Sequence, residues 1–143
     1  MNRKVSHLKP GIPAHEGQLI LQRRHRIVLS AKTGSSTTGQ AKLWGRLLDI
    51  GCGNGAQTAL FVPESDQTVG LDIFALDKAQ GVISDKRFQF VCGSALTLPF
   101  QSDSFDHIMA YEVLEHLPDD RKAVAEIGRV LREDGLFIFS VPN

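Results

Sequence analysis

Residues 47–55, Leu-Leu-Asp-Ile-Gly-Cys-Gly-Asn-Gly, constrain this chain more than any other stretch. An apolar run ends beside an acid, and three glycines follow at alternate positions. Residues 47–50 read as a short buried strand. Gly51, Gly53 and Gly55 let the backbone turn sharply and approach a ligand with no Cβ in the way. From Ala56 onward the chain reads as helix, so a helix N-terminus with free N–H groups is expected to face the same turn. A strand, a glycine turn and a helix in this order imply a nucleotide-type binding loop.

The remaining elements place that loop in a fold. Residues 55–61 read as a short helix stopped near Pro63. Residues 68–72 read as a second strand, which again ends in an acid, Asp72. Residues 74–80 read as a short helix, 88–92 as a third strand and 105–110 as a fourth. Residues 118–132 form the clearest helical pattern. Pro118 suits the first turn, Asp119 and Asp120 the positive end of the dipole, and Arg129 and Arg132 the negative end, with Gly135 as the stop. The inner stripe is Ala123, Val124, Ile127, Val130 and Leu131. Residues 136–141 are an apolar run fit for a buried parallel strand. Strands that alternate with helices imply right-handed crossovers and an α/β, doubly wound, mostly parallel sheet. Ligands bind such a sheet beyond its C-terminal strand ends, where the strand order reverses.

The 143 residues suffice for one domain with a single core. Charge divides the chain. Residues 1–46 hold nine Lys/Arg and one acid, Glu16, whereas residues 47–143 hold seven Lys/Arg and fifteen acids. Residues 1–40 are expected to be a basic arm, a helix over 16–31 and a polar connector over 33–40, ahead of a core at 41–143. The favoured reading sets the basic segment against an acidic body; contact with nucleic acid or a membrane surface is the alternative. Cys52 and Cys92 are expected two strands apart, roughly 10 Å at about 4.8 Å per strand, too far for a disulfide. Together with the lack of an apolar leader, this points to a reduced, cytoplasmic setting. No apolar run approaches a membrane span. Trp44 and Met109 read as core, His107 as structural, and His7, His15 and His25 as surface.

Two ligands compete for the loop. As G-x-G-x-x-A (Gly51, Gly53, Ala56) it matches a dinucleotide fingerprint, with Asp72 on a ribose hydroxyl. Asp49 opposes this, because a carboxylate two residues before the first glycine repels a pyrophosphate. It favours a cationic, phosphate-free ligand. S-adenosylmethionine is one, with an ammonium, a sulfonium and a ribose diol for which acids at two adjacent strand ends are suited.

The run L-L-D-I-G-C-G-N-G resembles the first motif of class I S-adenosylmethionine-dependent methyltransferases. The resemblance continues through V-G-L-D-I, A-L-T-L-P-F-Q-S-D-S-F-D-H-I, Y-E-V-L-E-H-L and R-V-L-R-E-D-G-L-F-I-F-S-V-P-N, over about residues 43–143. It implies a Rossmann-like fold and methyl transfer from S-adenosylmethionine, here to a small-molecule acceptor. It places Asp49, Gly51, Cys52 and Gly53 around the methionyl part, Asp72 on the ribose hydroxyls and Ile73 on the adenine. The turn at Ser94 and Ala95 would lie along the adenine edge, and the backbone around Tyr111 near the methionyl amine. Candidate catalytic groups follow the fourth strand: Tyr111, Glu112 and His116, with His116 as general base near neutral pH. The bland alternative is that Glu115 and His116 merely begin a solvated loop. Glu112, Glu115 and His116 also resemble a metal cluster of some RNA 2′-O-methyltransferases, but those need a histidine further downstream, and no metal is expected.

Three departures stand out. Ser94 stands where many members carry an adenine-binding Asp; Arg132-Glu133-Asp134-Gly135 stands where Arg-Pro-Gly-Gly is common, a turn-level change of little functional weight; the largest is at the end of the chain. The family's sixth and seventh strands, an antiparallel addition, have no counterpart before Asn143. The expectation is a fragment, or a chain that covers its fifth-strand edge by pairing with another copy. A non-catalytic S-adenosylmethionine-binding module and a nicotinamide-binding protein are the competing functions.

Overall fold

A computed structural model describes residues 44–74 and 83–141. The readings made for residues 1–40 and the helix expected over 74–80 lie outside these residues, apart from Phe74. Five strands form one parallel sheet: β1 (Arg46–Ile50), β2 (Gln67–Asp72), β3 (Phe88–Cys92), β4 (Phe105–Tyr111) and β5 (Leu131–Ser140). Their spatial order is β3-β2-β1-β4-β5. The order reverses between β1 and β4, so the glycine loop leaves the sheet at the switch point, where doubly wound folds bind ligands. This is the expected α/β architecture.

The sequence of each strand follows its position. Central β1 buries Leu47, Leu48, Asp49 and Ile50, and β2 buries Thr68 to Leu71 as a block. Such near-continuous burial belongs to parallel strands covered on both faces. The single α-helix among the described residues, α1 (Asp120–Val130), covers one face with Ala123, Ile127 and Val130. These pack in one cluster with Leu48, Ile50, Val69, Leu71, Ile108 and Ala110. On the other side Trp44 is fully buried, edge-on to Phe61 and His107 at 5.6 and 5.4 Å between ring centroids. His107 Nδ1 lies 3.0 Å from the Trp44 carbonyl oxygen, which puts the ring proton on Nδ1. Trp44, His107 and Met109 are thus structural, as expected.

Three boundaries differ from the sequence reading. The expected helix over 55–61 is two 3₁₀ turns, Thr58–Leu60 and Val62–Glu64. Pro63 and the short span to β2 leave no room for α-helical turns to propagate. The helix expected over 118–132 starts later and ends earlier. Asp119 is its N-cap, accepting from the Lys122 amide at 2.9 Å. Its end is set by the sheet: Leu131 already pairs with Phe105, and residues 132–135 bulge out before pairing resumes between Leu136 and His107. Arg132, expected in the last helical turn, instead reaches Asp106 at 3.5 Å.

β5 is one edge of this sheet, with Leu136 and Phe139 exposed on it and Val141 exposed just beyond its end. Among the described residues no helix is long and apolar enough to cross a membrane.

Candidate functional site

The glycine loop is built on positive φ angles, +71° at Gly51, +54° at Gly53 and +78° at Gly55. Gly51 also has no room for a side chain: a Cβ there would sit 2.3 Å from Val113 Cγ2. At Gly53 a Cβ would meet nothing within 4 Å, so the loop faces open space there.

Five of the loop amides are spent inside the protein. Gly51 and Cys52 both donate to the Leu71 carbonyl, at 2.7 and 3.2 Å, and Gly55 donates to the Cys52 carbonyl at 2.9 Å. Gly53 donates to Asp72 Oδ2 at 2.8 Å and Ala56 to Asn54 Oδ1 at 3.1 Å. A phosphate-binding loop points such amides at its anion. With no α-helix following, the anion-binding helix N-terminus expected at Ala56 does not exist. The loop brings backbone close to a ligand without offering an anion a cradle.

Beside it lies a cleft of about 550 Å³. Gly51, Asp72, Ile73, Ser94, Ala95, Glu112 and His116 line it, so seven of the residues singled out in the sequence come together. Asp49, Cys52, Gly53 and Tyr111 lie outside its lining. Asp49 is buried at the end of β1 and accepts from the Thr58 hydroxyl at 2.5 Å. Burial, opposed by that hydrogen bond and reinforced by the charge of Asp72, raises its carboxyl to about 7. Cys52 packs inward against β2, where a Cβ on Gly70 would meet its Sγ at 2.8 Å. Burial first, then the charges of Asp49 and Asp72, push its thiol far up, so it is no nucleophile. Both cysteines are free.

The polar groups of the cleft are specific. Asp72 holds the Gly53 amide with one oxygen and the Phe74 amide, at 2.9 Å, with the other. Each oxygen keeps a second lone pair for a ligand hydroxyl. Ser94 Oγ accepts from the Leu96 amide at 3.1 Å, so the serine caps its own turn. Glu112 stands at φ +54°, a left-handed conformation rare for a side chain of this size, and donates its amide to the Ser140 carbonyl at 3.0 Å. His116 ends the 3₁₀ turn Leu114–His116, is well exposed, and has Glu115 Oε1 at 3.9 Å. Glu112, Glu115 and His116 do not converge: among the described residues no three His, Cys, Asp or Glu side chains group to hold a metal.

Sequence reasoning missed Phe74, Leu96, Val113, Leu117 and Pro118, which also line the cleft. Only Phe74, next to the expected adenine contact Ile73, carried a sequence signal. The others arrive from loops whose paths depend on packing.

Among the described residues the lining thus holds two carboxylates, one histidine, apolar walls and no lysine or arginine. It suits a cationic, phosphate-free nucleoside and not a dinucleotide, and this donor set fits S-adenosylmethionine. Fold and cleft together define a Rossmann-like nucleoside-cofactor protein. Residues 48–139 match the methyltransferase domain family. The chain is 37% identical over 111 residues to the uncharacterized methyltransferase YcgJ of Bacillus subtilis, covering 71% of this chain and 42% of that protein. It is 38% identical over 97 residues to the 27-O-demethylrifamycin SV methyltransferase of Amycolatopsis mediterranei, covering 63% and 36%. The crystal structure of YcgJ aligns with a TM-score of 0.68 at 31% identity, over 82% of this chain and 50% of that one. The N-methyltransferase NodS of Bradyrhizobium japonicum, solved with S-adenosyl-L-homocysteine, shares the fold at a TM-score of 0.68 and 24% identity, over 82% and 60%. The chain belongs to the class I S-adenosylmethionine-dependent methyltransferases. It spans less than half the length of the curated relatives named here.

Proposed function

We propose that this chain is the cofactor-binding core of a methyltransferase that transfers the methyl group of S-adenosylmethionine to a small-molecule acceptor. The observation that carries this reading is the cleft itself, acidic and apolar, beside a glycine loop most of whose amides are already spent. Asp72 would accept from the ribose hydroxyls, and Ile73 and Leu96 would flank the adenine. Asp49, once ionised, would attract the ammonium through the loop. The bound cofactor supplies an electrophilic methyl on a sulfonium; the chain's own task is to hold and orient it and to manage the acceptor's proton. His116, exposed at the cleft, would take that proton, and Glu112 would help place the acceptor. The chain's relatives, among them the 27-O-demethylrifamycin SV methyltransferase and a rice 24-methylenesterol C-methyltransferase 30% identical over 142 residues, support small acceptors. The two free cysteines go with a reducing, cytoplasmic setting.

Calorimetric titration with S-adenosylhomocysteine tests the cofactor assignment. Binding in the micromolar range supports it. No heat from folded protein at high micromolar ligand removes it. Cofactor binding without turnover on a panel of small acceptors would favour the non-catalytic module.

A further inference from the structure

One wall of the cleft has no regular structure of its own. The turn at residues 93–97 is tied to β2 by the Gly93 amide, 3.0 Å from the Asp72 carbonyl, and closed by the Thr97 amide on the Ser94 carbonyl at 3.2 Å. It presents Ser94, Ala95 and Leu96 to the cleft. Its other end, residues 98–100, is gripped by two side chains one turn apart on α1. Glu126 Oε2 accepts from the Leu98 amide at 2.8 Å. Arg129 donates to the Leu98 carbonyl at 3.0 Å and to the Phe100 carbonyl at 2.8 Å. Its Nε and Nη2 also donate to the two Glu126 oxygens, each at 2.8 Å. All three guanidinium nitrogens are used, and the fork fixes the angle between the helix and the loop.

We propose that Glu126 and Arg129 are positioning residues for cofactor binding, setting where the Ser94–Leu96 wall stands across the cleft. The proposal rests on the reading that this cleft holds S-adenosylmethionine. The pair sits partly in solvent, 21% and 36% exposed, where an ion pair by itself adds little to stability. Its more valuable product is order in a segment that would otherwise lose that freedom on binding a ligand. The chain leading into α1 passes the cleft at His116, Leu117 and Pro118. The helix therefore spans from one part of the lining to the loop behind another, and the clamp couples the two.

The test compares wild type with E126A, E126Q and R129K by calorimetry with S-adenosylhomocysteine and with adenosine, alongside thermal midpoints. R129K keeps the charge and loses the fork, and E126A loses every contact of the carboxylate. Both are expected to raise the dissociation constant for S-adenosylhomocysteine about fivefold or more, with the same factor for adenosine, which keeps the ribose and adenine contacts and drops the methionyl part. E126Q keeps one acceptor oxygen, enough for the Leu98 amide and Arg129 Nη2, but sets an NH2 donor against Arg129 Nε, and is expected to recover part of the loss. Hydrogen exchange at the Leu98 amide should quicken in E126A. Constants within twofold of wild type for folded R129K and E126A would overturn the proposal. So would losses that spare adenosine. If R129K and E126A do not fold, E126Q decides: a weakening of about twofold supports the clamp and an unchanged constant overturns it. A wild type that binds neither ligand would remove the cofactor reading itself, an outcome distinct from a binding wild type with unmoved variants.

Discussion

Gly53 donates its amide to Asp72 Oδ2 across 2.8 Å, joining the loop after β1 to the carboxylate that ends β2. The second oxygen of the same carboxylate holds the Phe74 amide. Asp72 is thus both a cleft wall and the brace of the loop beside it. D72A removes two charge-assisted bonds from the protein and the acid offered to a ribose. Its affinity for S-adenosylhomocysteine should fall on the order of 100-fold, and that of D72N by less. Calorimetry on both variants checks this; equal affinities to wild type would deny Asp72 either role.

Two neighbouring glycines should respond differently to alanine. At Gly51 a new Cβ meets Val113 at 2.3 Å on top of a +71° φ, so G51A should cost about 2–4 kcal/mol of stability. At Gly53 the space is open and only the +54° φ is strained, so about 1 kcal/mol is expected. In the proposed function the methionyl end of the cofactor leaves the cleft and reaches this loop, so G53A should lose more affinity than stability. Urea unfolding and ligand titration on the two variants separate the effects.

Asp49 should make stability depend on pH in an unusual direction. Its folded value, about 7, stands above the ordinary 3.8. Between those values the folded chain holds a proton that the unfolded chain has released, so stability falls as pH rises from about 4 to about 7 and is level above. D49N lacks that penalty. Its thermal midpoint should exceed that of wild type by roughly 10 °C at pH 8 (a few kcal/mol at about 3 °C each) and converge with it near pH 4. Affinity for the ammonium-bearing S-adenosylhomocysteine should move the other way, tightening in wild type as pH rises through 7 and staying flat in D49N. Coincident melting curves for the two proteins at pH 8 would count against a buried, proton-holding Asp49.

Glu112 holds a left-handed backbone next to the cleft. E112G should relieve about 1 kcal/mol of strain, visible as a raised thermal midpoint. If the glutamate helps place the acceptor, the same variant should lose turnover while keeping its affinity for S-adenosylhomocysteine. A stabilised variant with full turnover on an identified acceptor would leave Glu112 no part in the reaction.

Much of the molecule was legible in its residues. The apolar runs at 47–50 and 105–110, the acids at strand ends and the glycine spacing each act within a few residues, so local chemistry decides them. Those signals placed five strands, with Gly51 and Asp72 at strand ends; the family resemblance added Ile73, Ser94 and Ala95, Glu112 and His116 followed from their place after the fourth strand, and the structure brings all seven to one cleft. What residues 55–61 became was not local. Helical propensity yields there to the short path into β2, and the expected helix N-terminus vanished with it. Leu131 likewise left its helix because Phe105 was available to pair with.

The sequence by itself determined the class of fold and the preference for a cationic nucleoside, because strand pattern and the acids Asp49 and Asp72 are properties of short segments. Only the tertiary structure decided how those acids behave. Asp49 is buried beneath the loop with Thr58, while Asp72 stands at the cleft bracing Gly53. The same carboxylate chemistry thus does different work at the two strand ends, because burial and partners are set by segments far apart in the chain. The grip of Glu126 and Arg129 on residues 98–100 was equally beyond reach, since it joins groups some thirty residues apart that meet only when α1 packs on the sheet.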